Sequence, residues 1–327
     1  MLRFVMEAQL TAREAPRPAY ENYFADPFVW RHDGEFFAIG TGEREATGYP
    51  GELVFPLLRS RDFICWNQAG RALLRPDGSL GTNFWAPEVV FEDGKFYLYY
   101  SVGFADAKHQ LRVATSETPL GPFQDFGTAL IDPGTCAFAI DAHAFRDDDG
   151  RWYLFYARDF LDTGVGVRAG TALAVAPMKS MTELSGEHRA VLRARHDWQR
   201  FQENRPIYGG SYDWHTLEGP FVRKHDGRYY CLYSAGRWEN ETYGVDYAVA
   251  DHVLGPYSDA GNENGPRVLR TVSRDMLGPG HNSIVTGPDG GDWIVYHAWD
   301  AAMAARRMFI DRLVWTGDGP RCPRFGP

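Results

Sequence analysis

Four carboxylates and a histidine occupy comparable places along the chain, each at the start of a short apolar or aromatic segment. They are Asp26, Glu88, Asp141, Glu218 and His281. Two carboxylates across a cleft are the minimum machinery for glycoside hydrolysis, because one protonates the departing oxygen while the other activates water or attacks carbon. A third carboxylate beside the acid can raise its pKa by repulsion. These residue types therefore indicate acid–base hydrolysis, provided that the fold brings them together.

A repeated pattern between these residues predicts how they are positioned. Asp-Gly followed by aromatic residues recurs, with glycines at 34, 94, 150, 227 and 290, so the copies are 60, 56, 77 and 63 residues apart. Each copy predicts a strand, a tight hairpin turn and an aromatic strand, and further strand-like segments follow. About four strands in a repeat of this length are typical of a β-propeller. We therefore predict an all-β, five-bladed β-propeller.

The predicted propeller is a single domain over residues 1–327, with an N-terminal extension over 1–21. The blades are expected at roughly 22–75, 84–130, 138–195, 215–262 and 278–318. The innermost strand of each blade lines the central axis, so we expect the starts of these strands to converge at one mouth. An aspartate before proline commonly opens a turn, so Asp26 alone would be a structural residue. Its place among five equivalent strand starts favours a functional role.

Composition excludes some partners. The chain has 327 residues, with 34 Lys and Arg against 43 Asp and Glu and a net charge of −9, which disfavours nucleic acid as a partner. Aromatic residues make up 15% of the chain, a bias that favours β structure and sugars that stack on rings. The N-terminus lacks the apolar run of a secretion signal, and no stretch suits a membrane span. We expect a cytoplasmic protein without a membrane partner, or a secreted one if a leader was removed.

The cysteines lie far apart, without the paired spacing of a zinc ribbon or a disulfide framework. They are Cys65, Cys136, Cys231 and Cys322. We expect all four to be buried thiols.

Several motifs together resemble glycoside hydrolase family 43, the five-bladed α-L-arabinofuranosidases, β-xylosidases and arabinanases. They run in the family's order: Asp26-Pro27-Phe28-Val29, Trp85-Ala86-Pro87-Glu88 with the aromatic strand after Gly94, Ile140-Asp141, Glu218-Gly219-Pro220-Phe221, Gly278-Pro279-Gly280-His281-Asn282-Ser283, and Arg306 before Trp315. The resemblance implies an inverting mechanism with Asp26 as general base and Glu218 as general acid. It makes Asp141 the residue that modulates the pKa of the acid and positions it.

The resemblance also implies binding roles around this triad. Trp85 would form a wall of the pocket for the terminal sugar, and Arg306 would reach sugar hydroxyls; a core tryptophan and a surface cation are the alternatives. His281 would lie near the axis beneath a calcium or sodium ion held largely through water. Calcium prefers several oxygen ligands, so a structural or substrate-contacting His281 without metal stays open. No other cofactor is expected.

Two further residues belong to the predicted site. Glu88 is expected to contact either substrate or a histidine. His143, where the family more often has a small residue or proline nearby, shares the strand side of Asp141 and is expected to contact substrate or water.

The substrate is expected to be an oligo- or polysaccharide. The segment 40–51 lacks a phenylalanine that some xylosidases have, a long insertion precedes Glu218, and the given chain stops just after the expected fifth blade, where many relatives that cleave xylose carry a second β-sandwich domain. These departures favour release of terminal pentose by an α-L-arabinofuranosidase. β-Xylosidase, endo-arabinanase, a retaining fructosyl enzyme, a glycoside phosphorylase and a catalytically silent carbohydrate-binding propeller are the alternatives. The sequence leaves the oligomeric state open.

Overall fold

The computed structural model of the protein describes residues 16–43 and 51–326, and strands dominate these ranges. Two four-stranded antiparallel sheets come first along the chain. The first sheet contains β1 (Ala25–His32), β2 (Glu35–Thr41), β3 (Leu53–Ser60) and β4 (Asn67–Leu74). The second sheet contains β5 (Asn83–Glu92), β6 (Lys95–Phe104), β7 (Ala107–Ser116) and β8 (Gln124–Ala129).

Three more blades complete the order. The third has β9 (Ala139–Arg146), β10 (Trp152–Phe160), β11 (Gly170–Ser180), β12 (Glu183–Leu184) and β13 (Arg189–Leu192). The fourth has β14 (Arg200–Ile207), β15 (Gly210–His225), β16 (Arg228–Ala235) and β17 (Gly244–Ala250). The fifth has β18 (Leu277–Thr286), β19 (Asp292–Trp299) and β20 (Arg306–Arg312), and the hairpin of β21 (Val314–Thr316) and β22 (Gly319–Arg321) follows. Short 3₁₀ turns lie at Gly78–Leu80, Asp197–Gln199 and Pro323–Phe325.

The innermost strand is the first strand of every blade except the fourth, where it is β15 because β14 is added outside the ring. These inner strands contact one another in cyclic order, β1 with β5, β5 with β9, β9 with β15, β15 with β18, and β18 with β1. The order of the blades along the chain is therefore their order around a ring. The predicted all-β propeller is confirmed.

The Asp-Gly turns are of two kinds. At Gly34, Gly94 and Gly227 both the aspartate and the glycine have positive φ, as a two-residue type I′ hairpin requires. At Gly150 and Gly290 only the glycine does, and the loops are longer. The tight turn expected for all five copies is thus wrong for two of them.

Blades three and four are joined by direct strand pairing. Gly170 and Thr171 of β11 pair in parallel with His215 and Thr216 of β15, so blades three and four share one sheet. At Gly170, with φ +148°, a Cβ would lie 1.8 Å from the carbonyl oxygen of His215, which only glycine avoids.

The described end of the predicted N-terminal extension lies on the fifth blade; residues 1–15 lie outside the described ranges. Ala19 N–H donates to the carbonyl of Met308 at 2.7 Å, and Phe24 N–H donates to that of Arg306 at 2.8 Å. The outer edge of β20 is therefore covered by chain from the N-terminal side of the first blade.

The prediction for the cysteines is wrong for Cys65, which is exposed, whereas Cys136, Cys231 and Cys322 are buried. Cys65 lies in a turn after β3 whose backbone N–H groups are bound by the carboxylate of Asp62, and this turn holds the residue at the surface. No helix in the described part of the chain is long and apolar enough to cross a membrane.

Candidate active site

Each inner strand bulges at the same mouth of the ring. The register breaks there, and one residue of each strand takes a left-handed φ: Asp26 (48°), Ala86 (46°), Asp141 (60°), Gly219 (54°) and His281 (50°). A bulge inserts one residue and re-aims the side chains beside it. The equivalent positions are therefore these five. Of the predicted set, Glu88 lies two residues after its bulge position and Glu218 one residue before.

Asp26 is buried among cations contributed by the fifth blade. Its Oδ1 lies 3.4 Å from Nδ1 of His281, 3.2 Å from Nδ1 of His297 and 3.6 Å from Nη1 of Arg306. Burial alone would raise the pKa of Asp26, but the charges of His281 and Arg306 hold that pKa well below its usual range. Asp26 is an ionised carboxylate.

His297 holds the backbone of Asp26. The N–H of Asp26 donates to Nδ1 of His297 at 3.0 Å, so this nitrogen is an acceptor and the ring carries its proton on Nε2. Burial lowers the pKa of His297 to about 4, in agreement with a neutral ring. His281 differs, because the charges of Asp26, Asp141 and Glu218 outweigh its burial and raise its pKa. One histidine therefore orients Asp26, and the other supplies positive charge.

The pKa values of the other two carboxyl groups are shifted in the opposite direction. Burial, followed by the charge of Asp141, raises the pKa of Glu218. Burial also raises the pKa of Asp141, although the charge of His281 opposes it. Tyr243 donates its hydroxyl to Oε1 of Glu218 at 2.6 Å, and Gly219 N–H donates to Oδ2 of Asp141 at 2.8 Å. This pair binds protons far more readily than Asp26 does.

Tyr243 is placed by a glycine in the neighbouring inner strand. A Cβ at Gly280 would lie 2.1 Å from Cε1 of Tyr243, so the tyrosine ring packs directly on the glycine backbone. The ring also lies parallel to that of His297, with centroids 5.9 Å apart. The residue that binds Glu218 therefore contacts the residue that orients Asp26.

A cavity of about 440 Å³ opens at this mouth. Its lining includes six of the predicted site residues, Asp26, Trp85, Asp141, Glu218, His281 and Arg306. Its other lining residues are Asn83, Ala105, Asp106, Phe138, Ile140, Thr171, Phe201, Arg205, Thr216, Trp238, Glu239 and Tyr243. Aromatic walls with a few convergent polar groups are typical of a small-ligand site.

Trp85 and Arg306 are fixed in the cavity wall. The Trp85 ring stacks on His109 with centroids 3.7 Å apart. Arg306 donates to the hydroxyl oxygen of Tyr23 from Nε at 3.0 Å and from Nη2 at 2.7 Å, and its guanidinium lies 4.6 Å from the ring centre of Trp238. Arg306 is therefore not the surface cation that was its alternative interpretation.

Glu88 and His143 lie together outside the cavity lining. Nδ1 of His143 is 2.8 Å from Oε2 of Glu88, and the imidazole packs 4.3 Å from the ring centre of Phe221. Both residues follow a bulge by two positions, which directs them along the axis away from the mouth. Glu88 has the expected histidine partner, but the expected substrate contacts have no support in this placement.

The described side chains provide no group of direct ligands for the expected calcium or sodium ion near the axis. Within residues 16–43 and 51–326, no group of three or more His, Cys, Asp or Glu side chains could hold a metal ion. The nearest partner of His281 is the carboxylate of Asp26, whereas calcium requires several oxygens. The described side chains do not fit a directly coordinated ion.

The sequence analysis did not identify His297, Tyr243, Trp238, Phe201 or Arg205. His297 lies in the second strand of its blade, inside an apolar run that resembles any core strand. Trp238 and Tyr243 come from the loop between β16 and β17, and Phe201 and Arg205 come from the insertion before Glu218. Only the length of that insertion pointed to any of them.

A β-propeller whose mouth holds one ionised and two proton-binding carboxylates around a ligand-sized cavity defines a glycoside hydrolase. The chain belongs to the glycosyl hydrolases family 43, whose family model matches residues 15–320.

Individual relatives agree with this assignment. The beta-D-galactofuranosidase xynD of Aspergillus niger is 28% identical, over 95% of this chain and 85% of its own. An extracellular exo-alpha-(1->5)-L-arabinofuranosidase of Streptomyces chartreusis is 28% identical, over 88% of this chain and 85% of its own. The crystal structure of a thermostable family-43 glycoside hydrolase is similar with a TM-score of 0.77 and 31% identity, covering 93% of both chains.

Proposed function

We propose that the protein is an inverting exo-glycosidase that releases terminal furanose, foremost α-L-arabinofuranose, from oligo- or polysaccharides. One observation carries this proposal: two carboxylates on the same cavity have their pKa values shifted in opposite directions, Asp26 downward and Glu218 upward. A site that hydrolyses glycosides needs one ionised and one protonated carboxyl group. A sugar-binding propeller without catalysis has no need for this difference.

In this mechanism Asp26 removes a proton from water while Glu218 protonates the departing glycosidic oxygen. Oε1 of Glu218 accepts the hydrogen bond of Tyr243, so the proton that is donated resides on Oε2. Asp141 keeps Glu218 protonated through its charge, and it positions the strand through Gly219. These are the roles that the family resemblance implied.

Inversion is the part of the proposal that rests on the family resemblance. Retaining enzymes hold their two carboxyl groups about 5 Å apart, whereas inverting enzymes leave room for water between the base and the anomeric carbon. His281 Nδ1 lies 3.4 Å from Asp26 Oδ1, and the charges of Asp26, Asp141 and Glu218 all raise the pKa of His281. The anomer of the first product decides between the two mechanisms.

The sugar is inferred from two relatives that act on furanosides. The names of the Streptomyces chartreusis and Aspergillus niger proteins give L-arabinofuranose and β-D-galactofuranose as their sugars. These sugars share a ring configuration and differ by one exocyclic carbon. Release of β-D-galactofuranose is therefore the second candidate, because that relative matches 95% of this chain. β-Xylosidase and endo-arabinanase remain the alternatives.

A panel of 4-nitrophenyl glycosides tests the proposal. We expect α-L-arabinofuranoside to give the highest kcat/KM among α-L-arabinofuranoside, β-D-galactofuranoside and β-D-xylopyranoside. Proton NMR of the first product should show the β anomer of arabinose, because inversion changes the anomeric configuration. An α-anomeric first product would exclude inversion, and a preference for xyloside would exclude the furanose assignment.

A further inference from the structure

The insertion before Glu218 folds into a hairpin at the cavity mouth, here called the rim hairpin. It consists of β14 and residues 210–215 of β15, and the two strands pair antiparallel. Its side chains Phe201 and Arg205 line the same cavity as the carboxylates. Strand β15 continues from the rim hairpin directly into Glu218, so the hairpin lies on the side of the proposed proton donor.

Side chains from three blades hold the rim hairpin in place. Nη2 of Arg205 lies 2.5 Å from Oδ2 of Asp106 in the second blade. The Tyr208 hydroxyl at the tip donates to Asp159 of the third blade at 2.8 Å. In the fourth blade, the guanidinium of Arg237 lies 5.4 Å from the ring centre of Phe201.

Arg205 of the rim hairpin and Arg237 beside it are each paired with a carboxylate. Arg205 pairs with Asp106, and Arg237 donates to the carboxylate of Glu239 at 2.7 Å. Asp106, Arg205 and Glu239 all line the cavity. An aromatic ring flanked by paired donors and acceptors suits a neutral sugar, whose hydroxyl groups both donate and accept hydrogen bonds.

We propose that the rim hairpin binds the sugar on the leaving-group side of the scissile bond. The ion pair with Asp106 holds Arg205 in position to bind that sugar. This inference rests on the proposed function, because the leaving oxygen must lie beside the proton on Glu218. Phe201 and Arg205 therefore select substrates in which the released pentose was joined to a second neutral sugar. The rim hairpin contributes no binding when the leaving group is a single atom, because no sugar then lies against it.

Two substrates that release the same sugar but differ in the leaving group separate the contribution of the rim hairpin from that of the rest of the site. The disaccharide (1→5)-α-L-arabinobiose places a sugar against the rim hairpin, and α-L-arabinofuranosyl fluoride places only fluoride there. In Arg205→Gln we expect KM for the disaccharide to rise about tenfold, the range for a lost charge-assisted hydrogen bond. In Asp106→Asn we expect a rise of about threefold, because an exposed ion pair contributes little. Both variants should retain the wild-type kcat/KM on the fluoride.

Glu203→Gln provides the matched control. Glu203 pairs with Arg200 at 3.0 Å on the same hairpin and does not line the cavity, so its loss should leave KM for both substrates unchanged. Equal losses on disaccharide and fluoride in Arg205→Gln and Asp106→Asn, or no loss on either substrate, would overturn the inference. Failure of the wild-type protein to hydrolyse any furanoside would instead overturn the proposed function, and this inference with it.

Discussion

The two sides of the cavity shift the pKa of a carboxyl group in opposite directions. On one side, all three strands of the fifth blade direct a basic residue at Asp26: His281 from β18, His297 from β19 and Arg306 from β20. On the other side, Glu218 and Asp141 face each other, with a tyrosine hydroxyl and a backbone N–H as their hydrogen-bond donors. Both sides are buried, and burial alone raises the pKa of a carboxyl group.

This comparison shows that nearby charge, not burial, decides which carboxyl group is ionised. Asp26 loses its proton readily because the charges of His281 and Arg306 outweigh its burial, and Glu218 retains its proton because burial, followed by the charge of Asp141, raises its pKa. The base and the acid are therefore distinguished by the blades that surround them. Four substitutions test this difference, beginning with the largest expected effect.

The first removes the ionised carboxylate. Asp26→Asn should lower kcat/KM by about 10³-fold or more on every substrate, because no group remains to activate water whatever the leaving group. Steady-state kinetics on aryl and sugar glycosides measures this loss. Asp33→Asn is the control, since Asp33 is an exposed turn residue of the same blade. A mild loss in Asp26→Asn would mean that the base lies elsewhere.

The second removes the proton donor. Glu218→Gln should lower kcat/KM by about 10²- to 10⁴-fold on disaccharides, the usual contribution of a general acid. Much of the rate should survive on a 2,4-dinitrophenyl glycoside, because a good leaving group departs without a proton. Comparison of the two substrates in the same variant is the measurement. Equal losses on both would assign Glu218 a role other than that of the acid.

The third substitution removes the charge of Asp141, which raises the pKa of the acid above that of the base. The charge of Asp141 raises the pKa of Glu218, so Asp141→Asn should lower that pKa and move the alkaline limb of kcat/KM to lower pH. A like-charge neighbour predicts a shift of about one unit. The asparagine oxygen can still accept the N–H of Gly219, which keeps the strand in place. A fixed or upward-moving limb would refute the role of Asp141 as pKa modulator.

The fourth substitution should move the alkaline limb of kcat/KM in the opposite direction, to higher pH. The hydrogen bond from Tyr243 lowers the pKa of Glu218, so Tyr243→Phe should raise that pKa and extend activity to higher pH. A loss of about three- to tenfold in kcat should accompany it, as for one lost hydrogen bond. Tyr247→Phe serves as control, because that hydroxyl binds the carbonyl of Asp318 away from the cavity. If the alkaline limb of kcat/KM were the same in Tyr243→Phe and wild type, Tyr243 would have no influence on the pKa of the proposed acid.

Much of the fold and part of the site were predictable from local pattern. The alternation of aromatic residues and the Asp-Gly turns predict strands whose period and turn chemistry are local properties. Equivalence of the inner strands placed Asp26, Asp141 and His281 correctly at the mouth. Glu88 was misplaced because a bulge shifts the register by one residue, and a single inserted residue has no sequence mark.

By itself, the sequence determined most of the strands, the Asp-Gly turns between them and the repeat that places Asp26 and Asp141 at the mouth, because these depend on neighbours close along the chain. The tertiary structure alone decided which carboxylate is ionised. His297 binds the backbone of Asp26 from 271 residues away, and Gly219 binds Asp141 from 78 residues away. A pKa depends on burial and on the distances to other charges, and these exist only once the ring has closed.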